Sequence, residues 1–112
     1  MPFSSSLADR VRTVVGRERG ITEKKMFGTT CFMLRGNVCV GIWQDSLIAR
    51  VGKDAYRAAL RLPHACEFDF TGRPMTGWIV VAAEGIDTER DLRAWIDRSL
   101  EFVGSLAAKT KT

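Results

Sequence analysis

The chain has 112 residues, 46% of them hydrophobic and 27% charged, with a formal net charge of +4. Such values describe one globular domain, long enough to bury roughly two-thirds of the surface its unfolded form exposes; they exclude a disordered chain, which would be less hydrophobic and more highly charged. No apolar run approaches the ~20 residues of a membrane span and the start, MPFSSSLADR, lacks the apolar core of a signal peptide, so the expected location is cytoplasmic, where cysteines stay reduced.

Leu7, Val11, Val14, Val15 and Glu18 recur at helical spacing, which predicts an amphipathic helix over about residues 6–19. Ser6 is its expected cap and Gly20 its stop. From Lys24 onward short β-rich runs take over. Gly36-Asn37 is the expected first hairpin turn, because glycine accepts the positive φ of the first turn position. Gln44-Asp45 is the expected second turn. The result is a meander of antiparallel strands, preceded by a short extended piece at Lys25–Phe27.

In GKDAYRAALRLP, Ala55, Ala58, Ala59 and Leu60 favour a short helix that Pro63 ends near Leu62. CEFDF alternates, with Cys66, Phe68 and Phe70 on one side and Glu67 and Asp69 on the other, as in a half-buried strand. TGRP is a turn. GWIVVA is a strand that is apolar on both sides, and so central or covered. Thr88, followed three residues later by Asp91, resembles a capping box. Leu92, Trp95, Ile96, Ser99, Val103 and Leu106 line one side of a long last helix, and residues 107–112 are expected to fray. The element order is α-β(3)-α-β(2)-α over a single domain, 1–112. Helices gathered on one face of an antiparallel sheet make an α+β, two-layer sandwich.

With both turns in place, Arg35 pairs with Val38 and Trp43 with Ser46, and alternation then fixes the face of each residue. One face carries Cys31, Met33, Val38, Val40, Ile42, Leu47, Ala49 and Val51 and is expected to meet the helices. The other carries Phe32, Leu34, Cys39, Gly41, Trp43, Ser46, Ile48 and Arg50. A solvated face is usually polar, so Phe32, Leu34, Trp43, Ile48 and Arg50 form a candidate interaction surface. Cover from within the chain, a homodimer, and a ligand or nucleic acid are open alternatives for what meets it.

Residues suited to chemistry are sparse. His64 and Cys66 share one side of an extended segment roughly 6.5–7 Å apart, too far for a nucleophile–base hydrogen bond, so Cys66 is expected to be structural. Three scattered cysteines and one histidine do not make a zinc site. Cys31 and Cys39 point to opposite sides of the sheet and share neither a disulfide nor a metal. Phosphate-binding loops, nucleotide fingerprints and nucleophile elbows are not found. Glu67 and Asp69 fit a solvated strand side better than an acid–base pair. The mixed charges of the last helix fit a solvated face. Phe32, Trp43 and Arg50, with the basic cluster Arg17, Arg19, Lys24 and Lys25, make a faint version of a surface that stacks single-stranded nucleic acid. No catalytic, cofactor-binding or metal residue is assigned, and the expectation is a non-enzyme; a small enzyme using Cys66 or His64 is the remaining alternative.

The stretch KKMFGTTCFMLRGNVCVGIWQDSLIARV is similar to the opening of the TfoX/Sxy N-terminal domain. Lys25, Met26, Phe27 and Gly28, then Gly36, then Asp45 and Leu47 follow that family's order. Phe68, Phe70, Gly72, Arg73, Pro74 and Met75 match its aromatic strand and the Gly-Lys-Pro-Met after it, and Leu92 and Trp95 match its last helix. The resemblance covers about residues 8–105. Thr29 replaces the family's second glycine and Arg73 replaces its lysine. The resemblance implies a helix–sheet fold like that of secretion chaperones, a stand-alone N-terminal domain, and no catalytic residues. It also implies kinship with bacterial regulators of natural competence that act with a transcription activator at promoters. The expected function is therefore a regulatory, protein-interaction domain with an unidentified protein partner, direct nucleic-acid binding being the alternative.

Overall fold

A computed structural model describes residues 3–16, 20–26, 29–69 and 75–106. Among these, the helices are α1 (Phe3–Val15), α2 (Lys53–Leu60) and α3 (Glu89–Gly104), with a 3-10 turn at Ala83–Ile86. The strands are β1 (Ile21–Met26), β2 (Thr29–Leu34), β3 (Asn37–Trp43), β4 (Ser46–Arg50), β5 (Ala65–Glu67) and β6 (Trp78–Val81). They form a six-stranded sheet in the order β1-β2-β3-β4-β6-β5, with every neighbouring pair antiparallel. The fold is thus an α+β two-layer sandwich, as the element order predicts. The extended piece expected at Lys25–Phe27 is a full strand, β1, paired along its length with β2.

Helix α1 places Leu7, Val11, Val14 and Val15 in the core, at the spacing the sequence shows, and starts earlier and ends earlier than expected. Helix α2 follows Gly52, whose φ is +87°. A Cβ built there would lie 2.4 Å from the Phe102 ring, so this position needs glycine for conformation and for space. Helix α3 begins at the expected cap: the Thr88 hydroxyl accepts a hydrogen bond from the Asp91 amide at 3.1 Å. Leu92, Trp95, Ile96, Ser99 and Val103 are buried along its inner side. Two arginines tie helices to distant segments. Arg10 donates to the Ile86 carbonyl at 2.6 Å, fixing α1 to the approach of α3. Arg35 donates to the Gly104 carbonyl at 3.1 Å, satisfying an otherwise orphaned acceptor at the end of α3.

The core lies between the helices and one face of the sheet. Val40, Ile42, Leu47, Ala49, Ile79 and Val81 come from the strands and pack in one cluster with Val11, Leu92 and Ile96. Cross-strand pairing explains the set. Ile42 opposes Leu47, which opposes Val81, and Val40 opposes Ala49, which opposes Ile79. Burying each of these large aliphatics is worth about 1.5–3 kcal/mol.

The second turn lies where expected, at Gln44-Asp45, with Trp43 opposite Ser46 and Gln44 at a φ of +57°. The first turn does not. Leu34 pairs with Asn37, so the turn is Arg35-Gly36, with φ values of +50° and +87°. Glycine takes the second turn position, the arrangement of an Asn-Gly hairpin, and arginine tolerates the first. A β-bulge follows: Phe32 faces Val40 while Met33 faces Val38, which leaves Cys39 as the extra residue. The net effect is a one-residue slip of β2 against β3, and a slip of one exchanges the faces of a strand. Phe32 and Leu34 therefore lie in the core, 1% and 7% exposed, and are removed from the candidate surface. Cys31 and Met33, expected inside, turn to the opposite face. Cys39 joins the core, fully buried, while Val38 moves out beside Met33.

Candidate interaction surface

The face turned away from the helices is built by a register that runs through all six strands. Lys24, Cys31, Gly41, Ile48, Val80 and Cys66 make one continuous transverse row. Trp43 and Ser46 stand on one side of this row. Thr22, Met33 and Val38, and further along Arg50 and Trp78, stand on the other. Alternation puts the helix-side residues between them, so nothing local prevents this side from being polar. It is mostly apolar all the same.

Exposure is uneven across this face. Ile48 and Val80 are each only 8% exposed, whereas Trp43 is 40% exposed. Met75, beside the sheet after β5, is also 40% exposed. Its amide donates to the Phe68 carbonyl at 3.0 Å, and its carbonyl accepts from the Trp78 amide at 3.1 Å. The rings of Phe68 and Trp78 meet with centroids 6.0 Å apart. The guanidinium of Arg50 lies 5.3 Å from the Trp78 centroid and 5.6 Å from that of Phe102 on α3, and it donates to the Val38 carbonyl at 3.4 Å. Such stacking of a cation on ring faces is favourable and holds the planar group in place.

Of the surface expected from the sequence, Trp43, Ile48 and Arg50 remain together on the outer face. Met33, Val38, Phe68 and Trp78 belong to the same side and were not expected there. Trp78 shares the side of Val80 by alternation, but GWIVVA is apolar on both sides, and only its pairing with β4 identifies that side as the outer one. Met33 and Val38 depend on the slipped register. Among the family-motif residues, Lys25 is exposed and on the helix side of β1, opposite Thr30, and Met26 pairs with Thr29 next along. Phe27, Gly28, Gly72, Arg73 and Pro74 lie outside the described residues, as do Arg17 and Arg19 of the basic cluster. The two lysines of that cluster point to opposite faces, Lys24 outward and Lys25 toward the helix side.

The residues considered for chemistry are dispersed. Cys66 is exposed on the outer face rather than buried, its sulfur 3.5 Å from the Val80 carbonyl. His64, at a φ of +67°, lines a cavity of about 310 Å³ with Glu84, Asp91, Trp95 and Arg98. Burial pushes the Cys39 thiol up to about 12, with Arg50 pulling the other way, and burial also raises Cys31. Both shifts favour the unreactive thiol. A larger groove of about 860 Å³ separates α2 from α3, walled by Ala55, Ala58, Leu62 and Phe102. Among the described residues, no group of three or more His, Cys, Asp or Glu side chains is placed to hold a metal ion, and no helix is long and apolar enough to cross a membrane.

Fold and surface together define a small α+β domain whose sheet, among the described residues, packs its helices against one face, with Phe102 of α3 reaching Arg50 of the other. The chain belongs to the TfoX N-terminal domain family, whose family model matches residues 14–103 and so takes in all six strands. No curated protein and no solved structure matches it.

Proposed function

We propose that this chain is a non-enzymatic protein-interaction domain of a bacterial regulatory system, and that it meets its protein partner through the outer sheet face around Trp43. The observation that carries this reading is the exposure of Trp43, at 40%, on the sheet face opposite the main helix-packed core, with Gly41, Ile48 and Val80 in the row beside it. An exposed tryptophan on a largely apolar sheet face is the kind of residue that anchors an interface. Family membership supports a regulatory role: the resemblance to regulators of natural competence points to work alongside a transcription activator. The decisive test takes a partner recovered from native cytoplasm, purifies it, and measures binding to the wild-type chain and to Trp43→Glu. The expected result is loss of binding with unchanged thermal stability. Equal affinity for both chains would remove the face from the reading.

Direct nucleic-acid binding is the second reading, favoured by Lys24 and Arg50 on the same face as Trp43 and Trp78. It predicts a mobility shift at low salt that fades steeply as salt rises.

A further inference from the structure

We infer that the partner segment seated on the outer face is acidic, and that the guanidinium of Arg50 receives one of its carboxylates. This rests on the reading that the outer face meets a protein.

The charge pattern of the sheet is one-sided. At the described strand positions of the outer face, the charged residues are Lys24 and Arg50, and no carboxylate accompanies them. The strand carboxylates, Glu23 and Glu67, oppose Phe32 and Ile79 and so lie on the helix side. Asp45 is in the β3–β4 turn and Asp69 lies past β5. Arg50 is half-buried and held between two rings, with one long hydrogen bond to a carbonyl. A guanidinium has five N–H donors in a planar fork, and a charge withdrawn from water is ordinarily met by an opposite charge. The ion pairs among the described residues are instead made by Arg12, with Asp9 and Glu23. Stacking fixes the plane of the Arg50 fork before any ligand arrives, so little side-chain entropy is lost when a carboxylate bonds to it.

The other occupants fit less well. A second copy would add two more cations and no strand carboxylate to this face, in a chain already carrying a net charge of +4. A nucleic acid wants a continuous track of cations, and at the described strand positions this face offers two, Lys24 and Arg50, three strands apart, with Lys25 pointing away. A short acidic, apolar segment asks for less. Lys24 and Trp43 are two strands and one row apart, about 12 Å by strand spacing and rise, a span that a few extended residues cover.

The test is selection of random peptides displayed on phage against the wild-type chain, followed by titration of a synthesised binder. Expected are sequences enriched in Asp and Glu around a large apolar residue. Their affinity should fall about tenfold on Lys24→Glu, fall on Arg50→Gln more than on Arg50→Lys, and weaken with added salt. Because Arg50 also packs, each variant is checked for thermal stability, and the exposed Lys24→Glu carries the test if Arg50 variants unfold. Binders that need Trp43 but show no acidic enrichment overturn this inference and leave the proposed face standing. Binders indifferent to Trp43→Glu overturn the face itself. Failure to select any binder, tight binding of oligothymidylate at low salt, or a dimer in sedimentation equilibrium that Trp43→Glu dissolves would each overturn the acidic-segment inference.

Discussion

The two faces of the sheet are made by the same strands and differ in what they bury. On the helix side, Phe32, Ile42, Leu47 and Ile79 are at most 1% exposed and interlock with α1 and α3. On the outer side, the apolar residues are graded, from Ile48 at 8% to Trp43 at 40%. The first face supplies stability through close packing, where each lost methylene is felt. The second buries Ile48 and Val80 but leaves Trp43 open to solvent, so its apolar area contributes less to folding for each side chain.

Cysteine chemistry gives the sharpest separation of the two. Cys39 sits on the packed side with its thiol pushed up to about 12, whereas Cys66 is exposed on the outer side. Burial thus keeps Cys39 in the unreactive thiol form at neutral pH. A disulfide reagent followed by peptide mapping should modify Cys66 first, Cys31 later, and Cys39 only on unfolding. Rapid native labelling of Cys39 would break the distinction. Next in size is Phe32→Ala, expected to cost about 3–5 kcal/mol in urea unfolding, against less than about 1.5 kcal/mol for its neighbour Met33→Ala on the other side. Equal losses would mean that β2 is not in the register described. Gly52→Ala tests the junction beside the groove. Positive φ and the approach to Phe102 together should cost about 2–4 kcal/mol. Trp43→Glu should change stability by no more than about 0.5 kcal/mol, and a large loss would reassign Trp43 to packing.

Much of this architecture was legible in the chain, and the limit has a physical cause. Helical spacing located α1, α2 and the inner side of α3, and Thr88 was found as a cap from its spacing to Asp91. The β3–β4 register followed from Gln44-Asp45. What failed was β2. When both sides of a strand are apolar, alternation loses its contrast, and a one-residue slip changes nothing visible in the pattern. Gly36 suits either position of a two-residue turn, so it did not distinguish Arg35-Gly36 from Gly36-Asn37, and a bulge at Cys39 supplied the rest of the slip. Of the five residues read as one face, Trp43, Ile48 and Arg50 do share a side because they sit on β3 and β4, while Phe32 and Leu34 were carried inside with β2.

The contact from Arg10 to the Ile86 carbonyl, with α1 packed beside α3, has a consequence for biosynthesis. The apolar side of α1 rests on both β3 and α3, so its seat is complete only once α3 has docked. During synthesis β3 can cover part of that side while the rest waits for residues 89–104. A chaperone that shields the apolar side of α1 during that interval would raise the yield of folded protein without touching the finished molecule.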